Sequence, residues 1–193
     1  MTRIVALLAV GLACSGCAGS QDQSADQAAP LAGCIADGSG FLHARLGGAV
    51  AAEIDWNNTD MECDGRPRPD GQGIRLTFAG PLPAAADSGA APRQLRFIFG
   101  VDEHDVAAGA AQALPTNLTI IIEGEQQLFA TRGSGHCAVE SLERSPVEGT
   151  DGRKVRVHAR GYCLGPATQV AGDARVLVPT FDFTGIADTE LEP

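Results

Sequence analysis

Short runs with an apolar residue at every second position are the feature that most restricts how this chain can fold. They lie at residues 74–78, 95–99, 118–122 and 155–160. Because successive side chains of an extended strand point to opposite faces, each run predicts a β-strand with one buried face. Glycine, proline, aspartate and asparagine separate the runs, which is typical of antiparallel strands joined by turns.

Weaker patterns predict further strands. Residues 176–178 and 181–183 flank Pro179, which has to lie at an edge or a bulge because proline cannot donate a ladder hydrogen bond. Residues 42–56 predict one or two strands, and residues 128–131 predict a further short one.

Helix signals are nearly absent. The one helix candidate is residues 105–114, where Asp105 can cap the first turn and Pro115 ends the segment. About eight short strands with at most one short helix predict an all-β fold. We expect an antiparallel β-sandwich of the immunoglobulin-like type, with a small β-barrel as the alternative.

The charge balance restricts the kind of partner. The chain has 193 residues, with 14 Lys and Arg against 24 Asp and Glu, which gives a formal net charge of −10. Nucleic-acid binding normally needs a basic surface, so we expect no nucleic-acid partner.

The N-terminus carries a targeting pattern. Arg3 precedes an apolar run at residues 4–13, which is too short to span a bilayer as a helix, since that needs about 20 residues, but fits a signal peptide. The run ends in small residues and two cysteines at residues 12–17, and this segment resembles the lipobox of bacterial lipoproteins. The resemblance covers residues 1–17 only. It implies cleavage before a cysteine that receives a lipid anchor of diacylglycerol and palmitate.

Either of two cysteines could be the acylated one. Cys17 follows Ser15 and Gly16, as a lipobox prefers, and its use leaves four further cysteines, an even number. The alternative, Cys14, would leave Cys17 as an unpaired thiol. Neither Ala18 nor Ser15, the two possible following residues, is aspartate, so the resemblance implies the outer membrane. We expect the domain to face the periplasm.

The remaining composition divides the chain into segments. Residues 1–16 are the expected signal peptide, and residues 17–40 are polar and small enough to predict a flexible tether. Cys34 should tie the second half of that tether to the domain. Residues 41–187 predict a single β-sandwich domain, and residues 188–193 predict a disordered tail.

The four cysteines of the mature chain predict two disulfides. Residues 148–152 form a strong turn signal, and a turn centred on Thr150 pairs residues whose numbers sum to 300. Since 137 + 163 = 300, Cys137 should bond to Cys163, which leaves Cys34 with Cys63. By the chain-entropy model each bridge contributes roughly 3–4 kcal/mol.

The same register makes a further prediction. It places Val139 opposite Gly161 and Glu140 opposite Arg160, an ion pair across the hairpin.

One polar segment is a weak candidate for a calcium site. Oxygen ligands at alternating positions are what Ca²⁺ prefers in loops. However, Gly71 stands where an EF-hand loop starting at Asp60 would need its bidentate glutamate. The candidate ligands are Asp55, Asn57, Asp60, Glu62 and Asp64. A solvated turn is the alternative interpretation.

One strand carries a basic stripe. It consists of Arg153, Lys154, Arg156, His158 and Arg160. Such a stripe could contact anionic lipid head groups or an acidic partner, or it could be a strand face whose charges are paired within the domain.

No catalytic motif identifies an enzyme. The chain has no GxSxG elbow, no HExxH spacing and no CxxC pair. We therefore expect a non-catalytic, lipid-anchored envelope protein that binds a ligand or a partner protein, or supports an envelope assembly, without a cofactor. The alternatives are a calcium- or small-ligand-binding module using residues 55–64, and a periplasmic hydrolase whose residues come from distant strands.

Overall fold

The structure is a computed structural model that describes residues 33–83, 93–104, 113–125, 127–133 and 135–190. Within these ranges it contains β-strands and no helix. The strands are β1 (Phe41–Gly48), β2 (Ala52–Asn57), β3 (Glu62–Pro67), β4 (Gly73–Leu82), β5 (Arg93–Asp102), β6 (Leu114–Ile122), β7 (Gln127–Ala130), β8 (Cys137–Pro146), β9 (Lys154–Cys163), β10 (Ala167–Gln169), β11 (Arg175–Leu177) and β12 (Phe181–Asp188).

All strand pairings are antiparallel and belong to one sheet. The path of paired strands runs β3-β4-β5-β6-β7-β10-β11-β1-β12-β9-β8, and β8 pairs again with β6. The sheet folds back so that β3, β4 and β5 face β12, while β2 extends the opposite layer beside β1. The all-β antiparallel class is therefore confirmed, and the pairing of β8 with β6 closes the path of strands that runs from β6 to β8.

Aromatic side chains fill the space between the layers. Phe78 and Phe99 of one layer contact Phe183 of the other, with ring centroids 4.9 and 4.8 Å apart. Phe97 and Phe181 continue the cluster, and all five rings are almost fully buried. Such tilted and offset contacts add to the hydrophobic stabilisation from burial.

The alternating runs are confirmed as strands, whereas two strands had no sequence signal. β4, β5, β6 and β9 contain the four clearest runs, and Pro179 lies in the connection between β11 and β12. β3 and β10 were not predicted, and the twelve strands within the described residues exceed the expected number of about eight.

The helix candidate falls largely outside the described residues. Residues 105–112 are not among them, and Leu114 begins β6, where it pairs with Val139 of β8.

Both predicted disulfides are present. Cys34 bonds to Cys63 and Cys137 bonds to Cys163. Cys137 and Cys163 are also direct partners in the β8–β9 ladder, as predicted from a turn centred on Thr150.

The predicted ladder holds only up to a bulge. Val139 pairs with Gly161 as expected, but the register then shifts between Val139 and Ser141. Ser141, not Glu140, is therefore the partner of Arg160. The predicted Glu140–Arg160 pairing is wrong because a β-bulge adds one residue to β8.

The end of the expected tether is part of the folded domain. Ile35 is 1% exposed, and Asn58 binds the segment around it. The side-chain Oδ1 of Asn58 accepts hydrogen bonds from the backbone N–H groups of Ile35 at 2.8 Å and Gly40 at 3.1 Å, while its backbone oxygen accepts one from Cys34 at 3.0 Å. Residues 33–40, placed by the sequence in the tether, thus pack on the domain.

Candidate functional site: a charged groove on one sheet face

Polar side chains, three of them charged, form a row across five neighbouring strands. The ladder partners run from Asp55 of β2 to His43 of β1, then to Asp182, Arg160 and Ser141 of β12, β9 and β8. Directly paired residues of an antiparallel sheet point to the same face. Because their neighbours along each strand point into the core, this row lies on the solvent face.

The row lies along an open groove of about 910 Å³. Its wall consists of residues from β1, β2, β8, β9 and β12 and from the connection before β12. The charged and histidine residues that line it are His43, Arg45, Glu53, Asp55, Glu140, Arg160 and Asp182. The volume lies in the range of about 300–1,000 Å³ that is usual for ligand pockets.

Two histidine–aspartate pairs occupy this face. The Nε2 atom of His43 lies 3.0 Å from a carboxylate oxygen of Asp55, and Nε2 of His158 lies 3.0 Å from Asp182. Phe41 packs between the two histidines, with ring centroids 4.8 and 5.9 Å away. Asp182 is hydrogen-bonded to His158 and orients its imidazole ring, whereas Asp55 and His43 form a contact in which both side chains are more than half exposed.

A hydroxyl nucleophile is not joined to either pair. Among the described residues, no serine or threonine hydroxyl is hydrogen-bonded to His43 or His158. Ser141, the residue of the row that has a hydroxyl group, instead accepts a hydrogen bond from Nε of Arg160 at 3.4 Å.

The β-bulge contributes to the groove. Glu140 is the extra residue on β8, it is exposed, and its side chain lines the groove together with Arg160. Within the part of the chain that the structure describes, no basic group lies within salt-bridge distance of this carboxylate.

The predicted basic stripe is largely compensated within the domain. Lys154 pairs with Asp188 at 3.3 Å, His158 pairs with Asp182, and Arg156 pairs with Asp37. The other two members are bound to neutral groups: Arg153 to a backbone oxygen and Arg160 to Ser141.

Asp37 is held in its charged form. Hydrogen bonds from Ser39 and then the charge of Arg156 lower the pKa of the Asp37 carboxyl. The basic stripe is thus tied to the N-terminal segment through the ion pair between Arg156 and Asp37.

The calcium candidates are spread over two strands and the turn between them. Asp55 faces His43, Asp60 accepts the backbone N–H of Asn57 at 2.9 Å, and Asp64 pairs with Arg66 at 3.1 Å. Glu62 is exposed on β3. No group of three or more potential metal ligands is found among the residues that the structure covers, and a calcium site here stays a prediction.

Several sequence predictions lie outside the described residues. These are the signal peptide at residues 1–16, the acylated cysteine (Cys17, or Cys14 as the alternative), the first part of the tether and the last three residues. The expected tail begins too early, because Asp188 ends β12 and Thr189 donates to the backbone oxygens of Gly152 and Arg153. Within the described residues, no helix has the length and hydropathy needed to cross a membrane.

The groove was not predicted from the sequence. His43, Glu53 and Asp182 are single polar residues at outward positions of separate strands, and no spacing connects them. Only the ladder brings them together, so no local motif could have identified them. No family model, no curated protein and no solved structure matches this chain.

Proposed function

We propose that this protein is a non-catalytic, lipid-anchored protein of the bacterial outer membrane that binds an envelope partner through the groove. The observation that carries the proposal is the set of charged side chains that line a groove of about 910 Å³. The Cys137–Cys163 disulfide joins two of the strands that form this groove. A site built on paired strands is held more rigidly than one built on loops.

The charge of the groove favours a cationic group. Its lining includes four carboxylates, from Glu53, Asp55, Glu140 and Asp182, against the two guanidinium groups of Arg45 and Arg160. The carboxylates and guanidinium groups of the lining together carry a charge of 2 − 4 = −2. Complementary charge increases the rate and the specificity of association. The preferred partner is therefore a protein that presents lysine or arginine to the groove.

The envelope location rests on two separate supports. The lipobox resemblance of residues 1–17 implies a lipid anchor. The two disulfides are consistent with an oxidising compartment such as the periplasm.

Site-specific photo-crosslinking in the native envelope tests the binding proposal. A photoreactive amino acid replaces Thr180, an exposed residue that lines the groove. The control replaces Val170, which is 68% exposed and lies outside the groove. We expect one adduct of reproducible mass from position 180 and none of that mass from position 170.

Matched charge variants make the test specific. Glu140→Gln should weaken the crosslink at position 180, whereas Glu148→Gln, at an exposed residue away from the groove, should not. No adduct, or the same adduct from both positions, would refute the proposal. The intact mass of the extracted protein tests the anchor separately, because acylation at Cys17 and at Cys14 gives different masses.

One observation favours a second candidate, a hydrolase. A histidine beside a carboxylate is the arrangement of a general base, and His43, with Nε2 3.0 Å from an oxygen of Asp55, lines the groove. This candidate predicts hydrolysis of activated esters that His43→Gln abolishes and His104→Gln leaves unchanged. Equal rates for both variants would eliminate it.

A further inference from the structure

A second hollow, separate from the groove, is lined by basic and polar side chains. It has a volume of about 340 Å³ and lies on the outer face of β4, β5 and β6. The ladder places Arg75, Gly100 and Asn117 side by side on these three strands. Gly100 has no side chain, so the outer layer of side chains has a gap at this position.

A fixed guanidinium group covers one side of the gap. After β3, the chain turns and Arg68 reaches back over β5, where its Nη1 lies 3.5 Å from the backbone oxygen of Gly100. Asp70 holds Arg68 through bonds of 2.6 Å to Nη2 and 3.1 Å to Nε. The hydrogen bond from Arg68 lowers the pKa of Asp70 to about 2, so the pair stays ionised in ordinary buffers.

A second guanidinium group borders the hollow. Arg75 is exposed, and its ladder partner on β3 is another arginine, Arg66. Arg66 is paired with Asp64, but Arg75 forms no salt bridge with any residue in the described ranges. The charge of Arg75 is therefore available to an anion.

A polar atom on the far side lacks a partner. Oδ1 of Asn117 is buried and accepts no hydrogen bond from the residues that the structure describes. A buried acceptor without a donor is unfavourable, so rotation of the Asn117 amide toward the hollow would allow a ligand hydroxyl or amine to donate a hydrogen bond to this oxygen. Thr119 adds a further polar side chain, and Ile98 supplies an apolar one.

We infer that this hollow is a second binding site, for a small ligand that carries a carboxylate or phosphate group next to hydroxyl groups. The anionic group meets the guanidinium group of Arg75, because the charge of Arg68 is offset by Asp70, which also lines the hollow. Guanidinium groups bind carboxylate and phosphate with directed hydrogen bonds. A neighbouring hydroxyl donates to Asn117. The volume lies at the lower end of the range for ligand pockets and suits a single sugar ring.

Isothermal titration calorimetry of the full chain in mild detergent tests the site with three probes. The probes are D-glucuronate, D-glucose 6-phosphate and D-glucose. We expect at least one of the two anionic sugars to bind and neutral glucose not to bind. Binding of glucuronate alone would identify a carboxylate site, and binding of glucose 6-phosphate alone would identify a phosphate site.

Three variants locate the binding. Arg75→Gln should weaken it about tenfold because it removes the available charge. Gly100→Ala should also weaken it, since its methyl group would enter the hollow 3.6 Å from Nη1 of Arg68 and in ordinary contact with its neighbours. Arg66→Gln is the matched control and should leave the affinity unchanged.

Some outcomes would overturn the inference. They are no heat of binding with either anionic sugar, equal binding of glucose, or the same loss with Arg66→Gln as with Arg75→Gln. Melting curves of the variants show whether they are folded. Gly100→Ala should melt no lower than the parent protein, because alanine is the better residue in a strand interior.

Discussion

Removal of the Asn58 side chain tests whether this residue holds the N-terminal segment on the domain. In the parent protein, Oδ1 of Asn58 lies 2.8 Å from the backbone nitrogen of Ile35 and 3.1 Å from that of Gly40. In Asn58→Ala, both N–H groups lose this acceptor. Asn58 itself is 9% exposed and Ile35 is 1% exposed, so water replaces these bonds poorly.

The expected loss follows from those two bonds. Each buried donor left without a partner costs about 1–3 kcal/mol, so we expect about 2–4 kcal/mol in total once some water entry is allowed. The matched control is Asn57→Ala. The Asn57 side chain is exposed and makes one hydrogen bond of 3.3 Å, and we expect a change of about 0.5 kcal/mol or less.

Urea unfolding with intact disulfides gives both free energies of unfolding. Amide hydrogen exchange adds a local measurement, because Ile35 and Gly40 should lose protection before the core strands do. Two results would refute the claim that the Asn58 side chain holds the N-terminal segment on the domain. One is an equal loss in the free energy of unfolding in Asn58→Ala and Asn57→Ala, and the other is unchanged protection of the two amides.

Two further predictions concern β4 and the turn before it, and they are measured by tryptophan fluorescence and by NMR. Gly80→Ala should destabilise the fold by about 1–3 kcal/mol, because its Cβ would lie 2.7 Å from the buried indole of Trp56. The emission of this one tryptophan reports the change, and Gly47→Ala, with no neighbour within 4 Å of its Cβ, should leave it unaltered. By NMR, the carboxyl of Asp70 should titrate with a pKa of about 2, and Arg68→Gln should return it toward 3.8. The stabilisation from this pair is then complete above pH of about 4 and is lost as the pH falls toward 2. Unchanged emission in Gly80→Ala, or an unchanged Asp70 midpoint in Arg68→Gln, would contradict the respective contact.

The sequence predicted the strands whose inward side chains are large. β4, β5 and β9 place Leu, Ile, Phe or Val at inward positions, so alternation shows them. β3 was not predicted because its buried position is a glycine, Gly65. A Cβ at this position would lie 2.6 Å from the backbone oxygen of Ile186. The close approach of β12 leaves no room for an apolar side chain at this position. Without such a side chain, β3 lacks the alternation of apolar and polar residues that predicts a strand.

The limits of the site prediction have a similar origin. Turn chemistry fixed the partner of Cys137, but the bulge at Glu140 depends on how β8 packs against its neighbours. The groove depends on strand order, since His43 and Asp182 are far apart in the chain and adjacent only in the ladder. The order of strands is a property of the whole sheet, and local residue patterns do not contain it.

The Cys34–Cys63 bridge also decides where mechanical force acts when the N-terminal segment is pulled. Tension on the chain before Cys34 passes through the covalent bridge directly into β3. Residues 35–62, which include β1 and β2, form a closed loop outside this load path. The strands that supply His43 and Asp55 to the groove therefore lie outside the covalent path by which this tension enters the domain.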